Sequence, residues 1–298
     1  MVGSSCCQRD RKRRMESGLD KMPKVLILGA STGIGRALAN EFARHGYNLV
    51  LTGRDEAEVR AIADDLTIRH AVRCDSLVFD VLDFAAHQGV LGSALAHRAD
   101  GLGGTISGTA VGACAERREG TPPLELSRRE DGFEGVVLCI GYLGDKQQAE
   151  TDLGEARRLL DSNFTGCVLA LEVLARHFMR QRAGFICAIS SVAGDRGRQS
   201  NYLYCGAKAG LTAYLEGLRN RLFHHQVRVI TVKPGFVDTP MTYGRPGLFL
   251  VARPERVAKS IFRAIQRGKD VVYVPWFWRP IMLLVRIIPE QVFKRLRL

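Results

Sequence analysis

The run KVLILGA, Lys24 to Ala30, is leucine-rich and β-branched and stops on glycine. IGRALANEFARHG, Ile34 to Gly46, follows with helical spacing and its own closing glycine, so GASTGIG, with glycines at 29, 33 and 35, joins a strand to a helix. A continuously apolar strand is one that helices cover on both faces, which is the condition of a parallel sheet. The alternation then repeats. YNLVLTG reads as a second strand, EAEVRAIADDLTIRH as a second helix and SLVFDV as a third strand. GVVLCIG (Gly135 to Gly141), GFICAIS (Gly184 to Ser190) and VRVITVKPG (Val227 to Gly235) continue it, separated by helical segments around 152–182 and 203–225. The pattern predicts an α/β fold of Rossmann type: a doubly wound parallel sheet in a single domain, with a C-terminal apolar extension.

At 298 residues, 46% of them hydrophobic, the chain is long enough for one large core. We expect a disordered basic tail over residues 1–22, a dinucleotide-binding catalytic domain over 23–270, and an apolar and basic tail over 271–298. Inside the domain, the Gly-rich and then charged stretch 99–133 exceeds an ordinary connection and reads as an inserted flexible loop. The first 22 residues hold no apolar run of signal-peptide length, which points to a cytoplasmic protein. The net charge of +12 gathers partly in RDRKRR, Arg9 to Arg14, and in the terminal FKRLRL. No basic stripe interleaved with aromatics accompanies it, so no nucleic-acid partner is expected. Eight cysteines, at 6, 7, 74, 114, 139, 167, 187 and 205, lie mostly in apolar runs without paired CxxC motifs. They read as reduced thiols, with neither a disulfide framework nor a metal site. Cys6 and Cys7, beside the basic run, suit either a reversible lipid or a plain solvated tail.

The glycine turn has a chemical reading as well. Its glycines let the backbone approach a pyrophosphate, and the helix behind it offers free N–H groups and the positive end of a dipole. In GASTGIG the candidate cofactor contacts are Gly29, Ser31, Gly33, Ile34 and Gly35. The second strand ends in LTGRD, where sites for NAD place an acidic residue on the ribose. Gly53 and Arg54 in that position favour the 2′-phosphate of NADP(H), while Asp55, one step later, keeps NAD as the less favoured alternative. FDV puts Asp80 and Val81 where an adenine ring is held, although Asp80 equally suits a cap on the following helix.

In NYLYCGAKAG, Tyr204 and Lys208 lie four residues apart, hence on one face of a helix. A free phenol has a pKa of about 10, so a tyrosine that exchanges protons near neutrality needs a neighbouring cation to lower it. Lys208 is placed to do so.

Together these motifs resemble the short-chain dehydrogenase/reductase family over roughly residues 23–245. The resemblance implies a catalytic serine after the fifth strand. ISSVAG offers Ser190 and Ser191, and the family's spacing to the tyrosine selects Ser191 and selects Tyr204 over Tyr202. It also assigns Asn163 of LLDSNFTG to the catalytic set, as holder of a water in the proton relay, and gives Lys208 a second contact on the nicotinamide ribose. Pro234, Val237 and Thr239 of KPGFVDTPM would meet the nicotinamide. One departure is visible: the family's NNAG-like turn is replaced by CIGYLGD, which keeps Gly141 and loses the asparagines.

The implied activity is hydride transfer between NADP(H) and a carbonyl or secondary alcohol, with Tyr204 moving the proton and Ser191 holding the oxygen. CIGYLGD, SSVAGDRGRQSNYLYCGAKAGL (Ser190 to Leu211) and PWFWRPIM resemble the decaprenylphosphoryl-ribose keto-reductase branch, whose substrate is a keto sugar on a lipid. A membrane-associated steroid, retinoid or lipid carbonyl reductase is the alternative enzyme, and a non-catalytic NADP-binding sensor or scaffold the alternative of another class. In the tail, Arg279 and Arg286 interrupt the apolar run, so it is too short to span a bilayer. Its aromatics and basic end suit a helix lying peripherally in a membrane interface. The competing reading packs it over the substrate pocket or against a second subunit of a homo-oligomer.

Overall fold

The computed structural model describes residues 22–31, 33–96, 132–244 and 249–296. Nearly all of the basic tail and of the 99–133 insertion therefore lies outside the described residues. Strand β1, Lys24–Leu28, leads into α1, Gly33–Arg44, then β2, Asn48–Gly53, α2, Glu56–His70, β3, Cys74–Val78, and α3, His87–Ala96. Next come β4, Phe133–Leu138, the short helices α4, Lys146–Thr151, and α5, Leu153–Leu160, a π-helical turn, Asp161–Thr165, and α6, Gly166–Gln181. Strand β5, Phe185–Ile189, a 3-10 turn, Val192–Asp195, α7, Tyr202–Phe223, and β6, Arg228–Pro234, follow. The chain continues through α8, Pro254–Gln266, β7, Val271–Val274, α9, Trp278–Ile287, and α10, Glu290–Phe293.

The strands form one seven-stranded sheet in the order β3-β2-β1-β4-β5-β6-β7, with every pairing parallel. Parallel neighbours need crossovers, and the helices supply them on both faces. Leu38, Phe42, Val257, Ile261 and Phe262 of α1 and α8 pack one face; Leu171, Leu174, Phe178, Leu211 and Leu215 of α6 and α7 pack the other. Central strands are covered twice, so Val25 to Leu28 of β1 are fully buried, each worth roughly 1.5–3 kcal/mol of apolar burial.

Two expectations need correction. The third strand ends at Val78, short of FDV, because Phe79 gives the last ladder hydrogen bond to Gly53 and Asp80 then accepts from Leu82 N–H at 3.0 Å, turning the chain. Asp80 thereby holds a turn, whereas α3 begins only at His87. The boundary at 270 also falls inside the fold. Val271–Val274 pair with Thr231–Pro234 as the outer strand of the sheet, so the apolar extension begins as part of it. Beyond it, Trp278 and Met282 of α9 are buried against Val192, Phe236 and Tyr273. A side chain on Gly235 would collide with the Trp278 indole, whose Nε1 would lie 1.8 Å from an added Cβ. Glycine is what lets α9 settle on the end of β6.

Candidate active site

The carboxyl ends of β1, β4, β5 and β6 converge at the point where the sheet order reverses, the usual place for a ligand crevice in an open α/β sheet. Gly29 follows β1 with φ +81°, and an added Cβ would lie 2.9 Å from the Cys139 carbonyl oxygen, so both backbone angle and space exclude a side chain there. At Gly35 an added Cβ would lie 1.9 Å from the Gly29 carbonyl oxygen, which is how closely α1 sits on the turn.

A cavity of about 590 Å³ opens on one side of this turn. It gathers Gly33, Ile34, Gly141, Ser191, Tyr204, Lys208, Pro234, Val237 and Thr239. A smaller hollow of about 140 Å³ on the other side is lined by Gly29, Ser31, Arg54, Asp80, Val81 and again Gly141. Gly35 lines neither and serves packing. At the end of β2, a Cβ on Gly53 would lie 2.5 Å from Val59 Cγ2, leaving no room for an acidic side chain without moving α2. Asp55, the alternative ribose ligand, is committed elsewhere: its carboxylate accepts from Glu58 N–H at 3.0 Å as the N-cap of α2. Arg54 is exposed at the rim of the hollow.

The two serines separate cleanly. The Ser190 hydroxyl is buried, donating to the Lys208 carbonyl at 3.1 Å and sharing a 2.8 Å hydrogen bond with Thr212. The Ser191 hydroxyl accepts from Ala193 N–H at 3.1 Å and lines the large cavity together with the Tyr204 side chain. Lys208 is buried and donates to the carbonyls of Ile140 at 3.3 Å and Ile189 at 3.2 Å, bridging the ends of β4 and β5. Its ammonium lies 5.8 Å from the Tyr204 ring centroid. The net effect on the phenol is opposite to the expected one. Burial pushes the Tyr204 pKa up to about 12, outweighing the downward pull of the Ser191 hydroxyl and the Arg198 guanidinium. Burial also lowers the Lys208 pKa.

Asn163 sits in the π turn between α5 and α6, the kind of irregularity that marks functional sites. It is fully buried, and its amide is spent on backbone: Nδ2 donates to the Tyr142 and Leu159 carbonyls, and Oδ1 accepts from Tyr142 N–H at 3.1 Å. In this structure it clamps the Tyr142 turn, the place where the asparagines of the NNAG-like turn are missing. Two arginines escaped the sequence reading. Arg198 lines the large cavity from the loop before α7, and Arg158 lines the small hollow, stacked 4.7 Å over the Tyr142 ring. Neither belongs to a motif, and only the fold reveals where Arg158, on α5, and Arg198, in its loop, point. Among the described residues no cluster of three or more His, Cys, Asp or Glu could hold a metal ion.

Fold and crevice define a dinucleotide-binding α/β protein of the open, doubly wound kind. The chain belongs to the short chain dehydrogenase family, whose model matches residues 23–120 and 125–246. It is 34% identical over 272 residues to an uncharacterized oxidoreductase of Mycobacterium tuberculosis, covering 91% of this chain and 96% of that one. Among solved structures it superposes on a short chain dehydrogenase from Burkholderia cenocepacia in complex with NADP, with TM-score 0.69, 17% identity, and 93% and 98% of the two chains covered. A short-chain dehydrogenase from Sphingobium yanoikuyae in complex with NADPH gives TM-score 0.67 at 23% identity, covering 90% and 97%.

Proposed function

We propose that this protein is an NADP(H)-dependent reductase of a carbonyl group, or dehydrogenase of the matching secondary alcohol. The observation that carries the reading is the grouping of Ser191, Tyr204 and Lys208 in one cavity beside the glycine turn. The glycine cradle fits a pyrophosphate, and Arg54, with no side chain at Gly53 and the Asp55 carboxylate engaged as a helix cap, fits a 2′-phosphate. Two of the structural neighbours are complexes with NADP or NADPH, which supports the same choice. When bound, the nicotinamide supplies the hydride.

The chain's own residues supply the rest. Negative charge that develops on the substrate oxygen meets the Ser191 hydroxyl and the Tyr204 phenol, and Tyr204 gives that oxygen its proton. Burial keeps the phenol in the protonated form that reduction consumes, although as a weaker acid than a free tyrosine. Lys208 braces the ends of β4 and β5 and places a cation beneath the site, while Asn163 fixes the turn that frames it. The test is oxidation of NADPH by purified protein against a panel of ketones and aldehydes. Turnover supports the reading, and cofactor binding without turnover of any member would favour a sensor.

A finer reading concerns the membrane. No described helix is long and apolar enough to cross one. The outer face of α9 nevertheless exposes Leu283 (62%), Leu284 (63%) and Ile287 (67%), with Trp276 (78%) just before it. Arg279, Arg286, Lys294 and Arg295 are exposed around them. Apolar side chains ringed by cations suit an anionic bilayer surface, and the buried face of the same helix adjoins the cavity wall at Val192 and Phe236. We therefore include peripheral attachment and a lipid-linked substrate, such as a keto sugar, in the proposal. Flotation with phosphatidylglycerol vesicles at low salt should retain the wild type and lose the Leu283→Asp/Ile287→Asp variant. Equal flotation would refute attachment through this face. A dimer that the same variant dissociates would assign the face to a second copy.

A further inference from the structure

The large cavity holds a charge that the reduction itself does not use. Among the described residues its lining includes two cationic side chains, Lys208 and Arg198, and no carboxylate. Lys208 is occupied by the Ile140 and Ile189 carbonyls. Arg198 is not occupied: its guanidinium makes no hydrogen bond or ion pair among the described residues, and its Nε is buried without a partner.

Arg196, two residues earlier, shows what this loop does with an arginine whose work is structural. Its guanidinium donates to the carbonyls of Val285 at 2.9 Å, Arg286 at 3.1 Å and Ile288 at 2.6 Å. It also binds the Glu290 carboxylate at 2.9 Å and stacks 3.9 Å from the Phe293 ring centroid. That side chain is saturated and fastens the end of α9. A buried cationic N–H without an acceptor is costly, and such a cost persists where a ligand provides the acceptor.

The surroundings of Arg198 favour a negative ligand. Ser200 and Asn201 line the same cavity at the start of the 22-residue α7, and Asn201, at the N-cap, makes no side-chain hydrogen bond to the first turn. The positive end of that helix therefore adds to the guanidinium. The site also adjoins the reacting atoms, since Arg198 lines the same cavity as Ser191 and Tyr204.

We propose that Arg198 binds an oxyanion carried by the substrate, so that the preferred substrates are carbonyl compounds bearing a phosphate or carboxylate close to the C=O group. The planar guanidinium pairs with either in a bidentate fork. This inference rests on the reductase reading and deepens it by naming the substrate class.

The test compares kcat/KM within two pairs that differ in one charge: dihydroxyacetone phosphate against dihydroxyacetone, and 4-oxocyclohexanecarboxylate against its methyl ester. Wild type should favour the charged member of at least one pair by about 10- to 100-fold, the scale of a charge-assisted hydrogen bond. Arg198→Gln should collapse that ratio, and Arg198→Lys should keep part of it. Any influence of Arg198 on the Tyr204 proton acts on both members and cancels in the ratio. Preference in the first pair alone assigns a phosphate, in the second alone a carboxylate. Ratios near one in both pairs, or a ratio that survives Arg198→Gln, would overturn the proposal. Turnover of the neutral members separately tests the reductase reading. If all four turn over too slowly to measure, binding of inorganic phosphate and of cyclohexanecarboxylate against cyclohexanecarboxamide to the enzyme–NADPH complex, read by NADPH fluorescence, must show the same dependence on Arg198. Binding that ignores the charge, or the side chain, counts against it.

Discussion

The ammonium of Lys233 lies 2.5 Å from Oδ1 of Asp195, with 7% and 2% of the two side chains exposed. The Tyr273 hydroxyl donates to the other carboxylate oxygen at 2.8 Å. Asp195 closes the 3-10 turn that starts beside Ser191, whereas Lys233 is on β6 and Tyr273 on β7. One buried carboxylate therefore ties the serine loop to the edge of the sheet.

Asp195→Asn would leave the Lys233 ammonium buried without its counter-charge, at a cost of about 3–5 kcal/mol. Tyr273→Phe removes one hydrogen bond to a charged group and should cost about 1.5–3 kcal/mol. Chemical denaturation of both variants should return them in that order. Asp195→Asn with wild-type stability would mean that the pair does not hold the loop.

Arg54→Ala should lower the NADPH/NADH ratio of kcat/KM roughly 10- to 100-fold, through loss of a charge-assisted contact to the 2′-phosphate. The comparison needs both cofactors with both proteins at one salt concentration, because an exposed guanidinium is screened. An unchanged ratio would leave Arg54 a solvated side chain.

The sheet was legible because its strands are covered on both faces, so each appears as a short apolar run ending in a turn. The glycine turn was legible for a related reason: at Gly29 and Gly35 the backbone itself fills the space a side chain would need. Strand β7 was hidden because VVYV runs straight into the aromatic PWFW, and its burial is only partial at the sheet edge. Ser191 could be separated from Ser190 by spacing, whereas the shift of Tyr204 could not be foreseen. It depends on how much burial opposes the neighbouring dipoles and charges, a balance set by packing. Arg196 and Arg198 look alike in the chain, and only the loop geometry sends one to α9 and the other to the cavity.

With burial holding the Tyr204 pKa at about 12, above its ordinary value, the acid form prevails throughout the neutral range. Reduction, which uses that form, should lose no activity to Tyr204 ionisation between about pH 6 and 9. Alcohol oxidation needs the phenolate and should rise close to tenfold per pH unit over the same span. Initial rates in both directions across that range check the sign. An oxidation rate that levels off near neutrality would place the proton-accepting pKa far below the one burial imposes.

The most direct measurement is single-turnover oxidation of NADPH by Tyr204→Phe beside wild type, with NADPH affinity determined for each by fluorescence titration. Removal of the phenolic proton should lower the rate by about 10² or more, the scale of losing a general acid. Affinity should stay near the wild-type value, because the glycine turn and Arg54 are untouched. A variant that binds NADPH normally and still reduces a carbonyl at close to the wild-type rate would contradict the assignment of Tyr204 as the proton donor.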